Sequence, residues 1–160
     1  MSSLCNRQVI DLRVGDMVIY PFLWSWEAES GQTEATKKRP CMVAMRIERK
    51  DSDPCAILIP ITTRPIGNRK GYVAIPQSEV RKVGLNGMRS QGLIMQDINV
   101  ENLSNPKGLS PLLHVREFSI GFSKEVTDCL RGEIDRNAVR MVARYNLEPE
   151  EATPECGYGP

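Results

Sequence analysis

The sequence predicts a mostly β domain, a small antiparallel barrel closed by a C-terminal helix. Three observations predict it. The chain has 160 residues, which leaves room for one sizeable core and not two. Its first two-thirds consist of short β-branched or apolar runs punctuated by Gly, Pro and charged turns. Its last third changes to apolar residues spaced three and four apart. That helical third argues against a pure sandwich. With 41% hydrophobic residues the composition also argues against collagen, coiled coil and full-length disorder.

The elements follow in order. Val14-Gly15-Asp16 leads into a strand over Met17 to Leu23, with Pro21 near its end. Trp24 to Lys38 is polar and too long for a tight hairpin, so it reads as a long loop. Pro40 to Ile47 is the second strand, and Glu48 to Pro54 a charged turn. Cys55 to Thr62 is apolar throughout and reads as a strand buried on both faces. Arg64 to Gly71 is a basic turn, Tyr72 to Ile75 a short strand, and Ser78 to Lys82 one helical turn capped by Ser78. Gly92 to Val100 is one strand with Asp97 as its single charge, and Leu112 to Ile120 is the last strand. Helix then begins with Ser123 as cap. Its stripe of Val126, Cys129 and Leu130 resumes after Gly132 as Ile134, Ala138, Met141, Val142 and Tyr145, giving one bent helix or two short ones. Residues 1–13 are an N-terminal extension and 14–147 the domain. Residues 148–160, with three prolines, four acids and no base, form a disordered tail that folding does not need.

Net charge is only +1, but the segment from Lys37 to Arg89 holds 12 of the 21 Lys and Arg residues against four acids, a local +8. A basic middle in a near-neutral chain suits a polyanion, or is simply a solvated surface. Five cysteines without a CxxC pair and a single histidine, His114, give no support for a zinc cage. They read as reduced thiols in a cytoplasmic protein. The N-terminus has no apolar signal-peptide core, and the nearly uncharged run Val14 to Trp26 is too short to span a bilayer.

No G-x-S-x-G, P-loop, G-x-G-x-x-G or H-E-x-x-H pattern occurs. His114 lies in a strand-like run and reads as structural, although it is the one histidine a Cys–His nucleophile would need. Two stretches carry more. Lys37-Lys38-Arg39-Pro40 ends the long loop, and the proline holds Arg39 extended. A planar guanidinium fixed at a loop-to-strand junction can grip a phosphate. Pro60-Ile61-Thr62-Thr63-Arg64 places hydroxyls at a strand end beside the basic turn. The plainer readings are a surface basic cluster and two β-formers ending a strand.

Taken in order, Gly15-Asp16-x-Val18, Arg39-Pro40-x-x-Val43, Pro60-x-Thr62-Thr63 and Gly92-Leu93-Ile94-Met95-Gln96-Asp97, followed by the helix, resemble the MazF/PemK-like toxins of bacterial type II toxin–antitoxin systems. The resemblance covers roughly Val14 to Tyr145. It implies a small SH3-like barrel that forms a homodimer, needs no cofactor and is inhibited by a cognate antitoxin protein. The implied activity is sequence-selective, metal-independent cleavage of single-stranded RNA, in which the 2′-OH attacks to leave a 2′,3′-cyclic phosphate. On this reading Arg39, Thr62 and Asp97 are catalytic. Arg39 stabilises charge on the phosphorus, Thr62 donates to a phosphoryl oxygen and Asp97 is the base. RNA-binding residues are Lys37, Lys38, Thr63, Arg64, Arg69 and Lys70. Trp24 and Trp26 either stack on bases or pack in the core or dimer interface.

The chain departs from that pattern in four places. Met95 stands where some members carry a second arginine, and Ile98 where many carry a glutamine. The first loop is enlarged and a tail is added. Two function classes therefore stay open: a ribonuclease toxin, or a non-catalytic binding module, including a gyrase-poison-like toxin, on the same barrel.

Overall fold

A computed structural model describes residues 9–64, 71–85, 90–106, 108–109 and 115–144. Arg69, Lys70, Leu112, Leu113, His114, Tyr145 and the 148–160 segment lie outside the described residues. The expectations placed on them stay expectations.

The fold is mostly antiparallel β-sheet with three helices among the described residues. Strands β1 (Asp16–Tyr20), β2 (Arg39–Ile47) and β3 (Cys55–Thr62) form an antiparallel meander. β3 is the centre. Its first half pairs with β6 (Asp97–Asn102) and its end with β5 (Gly92–Ile94). β4 (Tyr72–Ala74) extends β5, and β7 (Arg116–Glu117) flanks β1. β8 (Arg140–Ala143) joins β6 as the one parallel pair among the described strands.

β3 is buried on both faces, as its unbroken apolar run predicts. Ile57, Ile59 and Ile61 enter one core cluster, while Ala56 and Leu58 enter another. The first cluster packs beneath helix α3 (Ile120–Asp135) through Phe122, Val126 and Leu130. The second gathers Val18, Tyr20, Phe22, Cys41 and Val43. α3 docks at an irregularity. The β2–β3 register shifts between Val43 and Met45, and Thr127 Oγ1 donates 2.8 Å to the carbonyl of Ala44, the residue the shift leaves over. Among the described residues, Cys41, Cys55 and Cys129 are free thiols.

Several sequence expectations need correction. The Trp24–Lys38 stretch is not all loop, because it contains helix α1 (Ser25–Glu29). Trp24 caps α1 without a side-chain acceptor of its own. Glu27 instead accepts from the Trp24 N–H at 3.0 Å. β1 ends at Tyr20, short of Leu23. Helix α2 (Gln77–Lys82) has Pro76 as its cap, not Ser78. The predicted strand 92–100 is two strands broken at Met95–Gln96, because β3 hands its edge from β6 to β5 there. The predicted strand 112–120 is described only from 115 on and contains the two-residue β7.

The largest correction concerns the C-terminal third. α3 starts a turn earlier than expected, at Ser119, whose Oγ accepts from the Phe122 N–H at 3.3 Å. It stops at Asp135, and Asn137 takes φ 60°. Asparagine tolerates that left-handed turn, which ends the helix. The apolar residues beyond then alternate as a strand, with Met141 exposed and Val142 buried. Two apolar neighbours in a row had mimicked the helical spacing.

The Gly-Asp pair before β1 has a physical reason. Gly15 has φ 99°, and a Cβ there would lie 2.5 Å from Ser123 Oγ. Its N–H donates to Val43 O at 2.9 Å and its carbonyl accepts from the Phe118 N–H at 2.8 Å. Gly15 thus stitches β1, β2 and the start of α3. Gly15→Ala is expected to cost about 2 kcal/mol, from the positive φ and the overlap together. Urea unfolding that moved by less than about 0.5 kcal/mol would contradict this assignment.

Candidate active site

The site begins with a polar stripe on β6. Asp97, Asn99 and Glu101 alternate along the strand and so project from one face. Each binds the end of β1 or the segment that follows it. Glu101 accepts from Tyr20 Oη at 2.6 Å. Asn99 accepts from the Leu23 N–H at 2.9 Å and donates to its carbonyl at 2.7 Å, behaving as a short piece of strand. Asp97 Oδ2 accepts from the Ser25 N–H at 3.1 Å and from Ser25 Oγ at 2.9 Å. Arg144 completes the set from just beyond β8. Its Nη1 donates to Pro21 O at 2.7 Å and Tyr20 Oη at 3.1 Å. This largely buried network fixes residues 20–25 and with them Trp24 and the start of α1.

At the Asp97 end of the stripe lies an open groove of about 1230 Å³. Arg39 from the head of β2, Thr62 from the end of β3 and Asp97 from the head of β6 all line it. So do Trp24, Trp26, Lys37, Thr63 and Arg64. Of the sequence-predicted RNA contacts within the described residues, only Lys38 does not line the groove, and it is exposed.

Each side chain has a distinct setting. The Arg39 guanidinium lies over the Trp24 ring at 5.1 Å, and its Nε is buried with no hydrogen-bond partner among the described residues. Trp24 in turn meets Phe22 edge-on, with ring centroids 5.0 Å apart. Trp24 is thus a packing residue that also holds Arg39. Trp26, 61% exposed, belongs to the rim. Thr62 Oγ1 accepts from the Arg64 N–H at 3.1 Å, which leaves its proton to donate into the groove. Asp97 is buried, and desolvation pushes its carboxyl above the usual range. The hydrogen bonds from Ser25 and the charge of Arg140 oppose that shift.

No protein-family model matches the chain, and no curated protein matches it significantly.

The groove also holds residues that the sequence did not point to. Arg140 stands opposite Asp97 in the parallel β6–β8 pair. It was hidden because Val139 to Val142 was read as helix, although a β-branched run after Asn137 is also a strand signal. Ser25, Gln91, Ile94 and Gln96 line the groove as well. Met95 and Ile98, the departures from the resembled pattern, are wholly buried core residues and lie outside the groove. Lys37, Arg39, Arg64 and Arg140 give it four cations against the one carboxylate of Asp97, so it suits an anionic ligand.

Proposed function

We propose that the chain is a metal-independent endoribonuclease toxin on an SH3-like barrel of the MazF/PemK kind, active on single-stranded RNA, dimeric, and restrained by a cognate antitoxin protein. The observation that carries this reading is the convergence of Arg39, Thr62 and Asp97, from three strands, on one cationic groove with an exposed tryptophan at its rim. Asp97 takes the proton of the 2′-OH. The 2′-oxygen attacks phosphorus, the bond to the 5′-oxygen breaks, and that oxygen collects a proton from water. Arg39 and Thr62 donate to the phosphoryl oxygens as their charge grows. Arg39 acts by its charge, since a guanidinium releases its proton too reluctantly to be an efficient acid. Trp26 offers a stacking surface to an unpaired base.

The test is incubation of purified protein with single-stranded RNA in EDTA, with the ends of the products analysed. Fragments ending in 2′,3′-cyclic phosphate and 5′-OH support the reading, and intact RNA at high enzyme concentration rejects it. One observation favours the second class, a binding module or gyrase-poison-like toxin. The Asp97 carboxylate is already engaged by Ser25, as expected of a group that only positions α1. Given cleavage, Asp97→Asn separates a base from a positioning residue, because it keeps an acceptor for the Ser25 N–H and removes the base. If Asp97 is the base, the rate falls at least a hundredfold. The wild-type rate is then lost as pH falls through a pKa above the ordinary aspartate value, since the raised group must be deprotonated to act. If Asp97 only positions α1, the variant keeps most of its activity and its acid limb is unchanged.

A further inference from the structure

Arg140 has no assigned role in the reading above, yet its setting is unusual for a surface arginine. It opens β8 directly across from Asp97 and lines the groove. Its backbone N–H donates to Gln96 O at 2.9 Å, which fixes the strand start. The side chain is 68% exposed, and among the described residues its ion-pair partner is Glu29, the last residue of α1. The separation is 3.7 Å, an ion pair but not a hydrogen bond. Glu29 is itself 66% exposed, so the pair is weak and easily exchanged. A guanidinium on a rigid strand, facing a cationic groove and held by one loose carboxylate, is a ready receptor for a bidentate anion.

We infer that Arg140 is a second phosphate-binding residue of the groove, gripping a backbone phosphate of single-stranded RNA from a different strand than Arg39, and that Glu29 occupies its fork until RNA displaces it. The inference rests on the proposed RNA substrate but not on cleavage. Two cations on separate strands would each hold a phosphate and so set the register of the RNA, while Trp26 on the rim would receive a base.

The experiment uses the full chain and a 2′-O-methyl RNA oligonucleotide, which lacks the attacking hydroxyl and cannot be cut. Its affinity is measured from low to moderate salt. Arg140→Ala is expected to weaken binding about tenfold and to reduce the slope of log affinity against log salt by about 0.7, one phosphate contact on a single strand. Arg140→Lys should keep the slope, because the charge remains, but lose part of the affinity with the fork. Glu29→Gln should tighten binding a few-fold in the wild-type background and have no effect in Arg140→Ala, since it acts through Arg140. Unchanged affinity and slope for Arg140→Ala would overturn the inference. Equal tightening by Glu29→Gln in both backgrounds would overturn the role given to Glu29. If the oligonucleotide binds in an Arg140-dependent way but natural RNA is never cut, the nuclease reading falls and this inference stands.

Discussion

Arg39→Ala is expected to slow cleavage of single-stranded RNA at least a hundredfold, about 3 kcal/mol of lost transition-state stabilisation or more. The reason lies in the state of the side chain before substrate arrives. The guanidinium already rests on Trp24, and its Nε is buried without a partner among the described residues. A buried donor left unpaired is costly, so a ligand oxygen that satisfies it gains more than an exposed donor would give. A phosphorane carries more charge on its oxygens than the starting diester does, which weights the gain toward the transition state. The loss should therefore fall mainly on kcat and less on KM. Arg39→Lys should recover only part of it, because an ammonium cannot lie flat on the indole and present two parallel donors. Cleavage that survives Arg39→Ala unchanged would show that the groove is misassigned even if the chain is a ribonuclease. Thr62→Ala should cost less, since a single neutral hydroxyl donor is weaker than a charged fork.

Asn99→Ala should be the most damaging change outside the groove lining. Its side chain serves both the N–H and the carbonyl of Leu23, and all of these groups are buried. Alanine leaves two backbone groups without partners, at roughly 1–3 kcal/mol each. A total of about 3 kcal/mol, or a melting temperature lower by roughly 10 °C, is expected. Activity measured well below that temperature should fall too, because Leu23 lies next to the Trp24 on which Arg39 rests. A variant as stable as the wild type would show that Leu23 can find water or other partners, and that the β6 stripe does not hold the groove wall. A variant that is less stable but fully active would separate the stripe from the site.

Much of this arrangement could be read from the residues. The limits of β3 follow from an apolar run closed by Thr62, and those of β2 from Arg39-Pro40, because Pro forces extended backbone at the junction. Arg39 and Thr62 sit at the ends of strands whose limits local sequence marks, whereas Asp97 heads β6 inside what the sequence presents as one strand, and its proposed role rests on the family resemblance. What was not legible depends on contacts far apart in the chain. α1 is only five residues long and is held at its start by Asp97, 72 positions away. No propensity within Trp24 to Lys38 encodes that contact, since a helix this short is marginal by itself. β8 escaped for a related reason. Residues 138–145 carry both a helical and an alternating pattern, and the choice falls to β6, which offers an open edge. Beside the catalytic charge that the resemblance implies at Asp97, the alternation of Asp97, Asn99 and Glu101 marks a polar face that needs partners.

The parallel β6–β8 pair bears on the order of events during synthesis. Tyr20 and Arg144, joined by a hydrogen bond, are 124 positions apart. A ribosome must therefore release nearly the whole described fold before the network that fixes Trp24 can close. Contacts of such long range form late, because the loop-closure entropy has to be overcome first. A shorter nascent chain therefore lacks the Arg144 arm of the network and the Arg140 of the groove. On the proposed ribonuclease reading, a groove completed this late would spare the messenger and ribosome producing the chain. Here the Arg144 bonds to Tyr20 and Pro21, and the Arg140 that lines the groove, come into place only when the last described strand has docked.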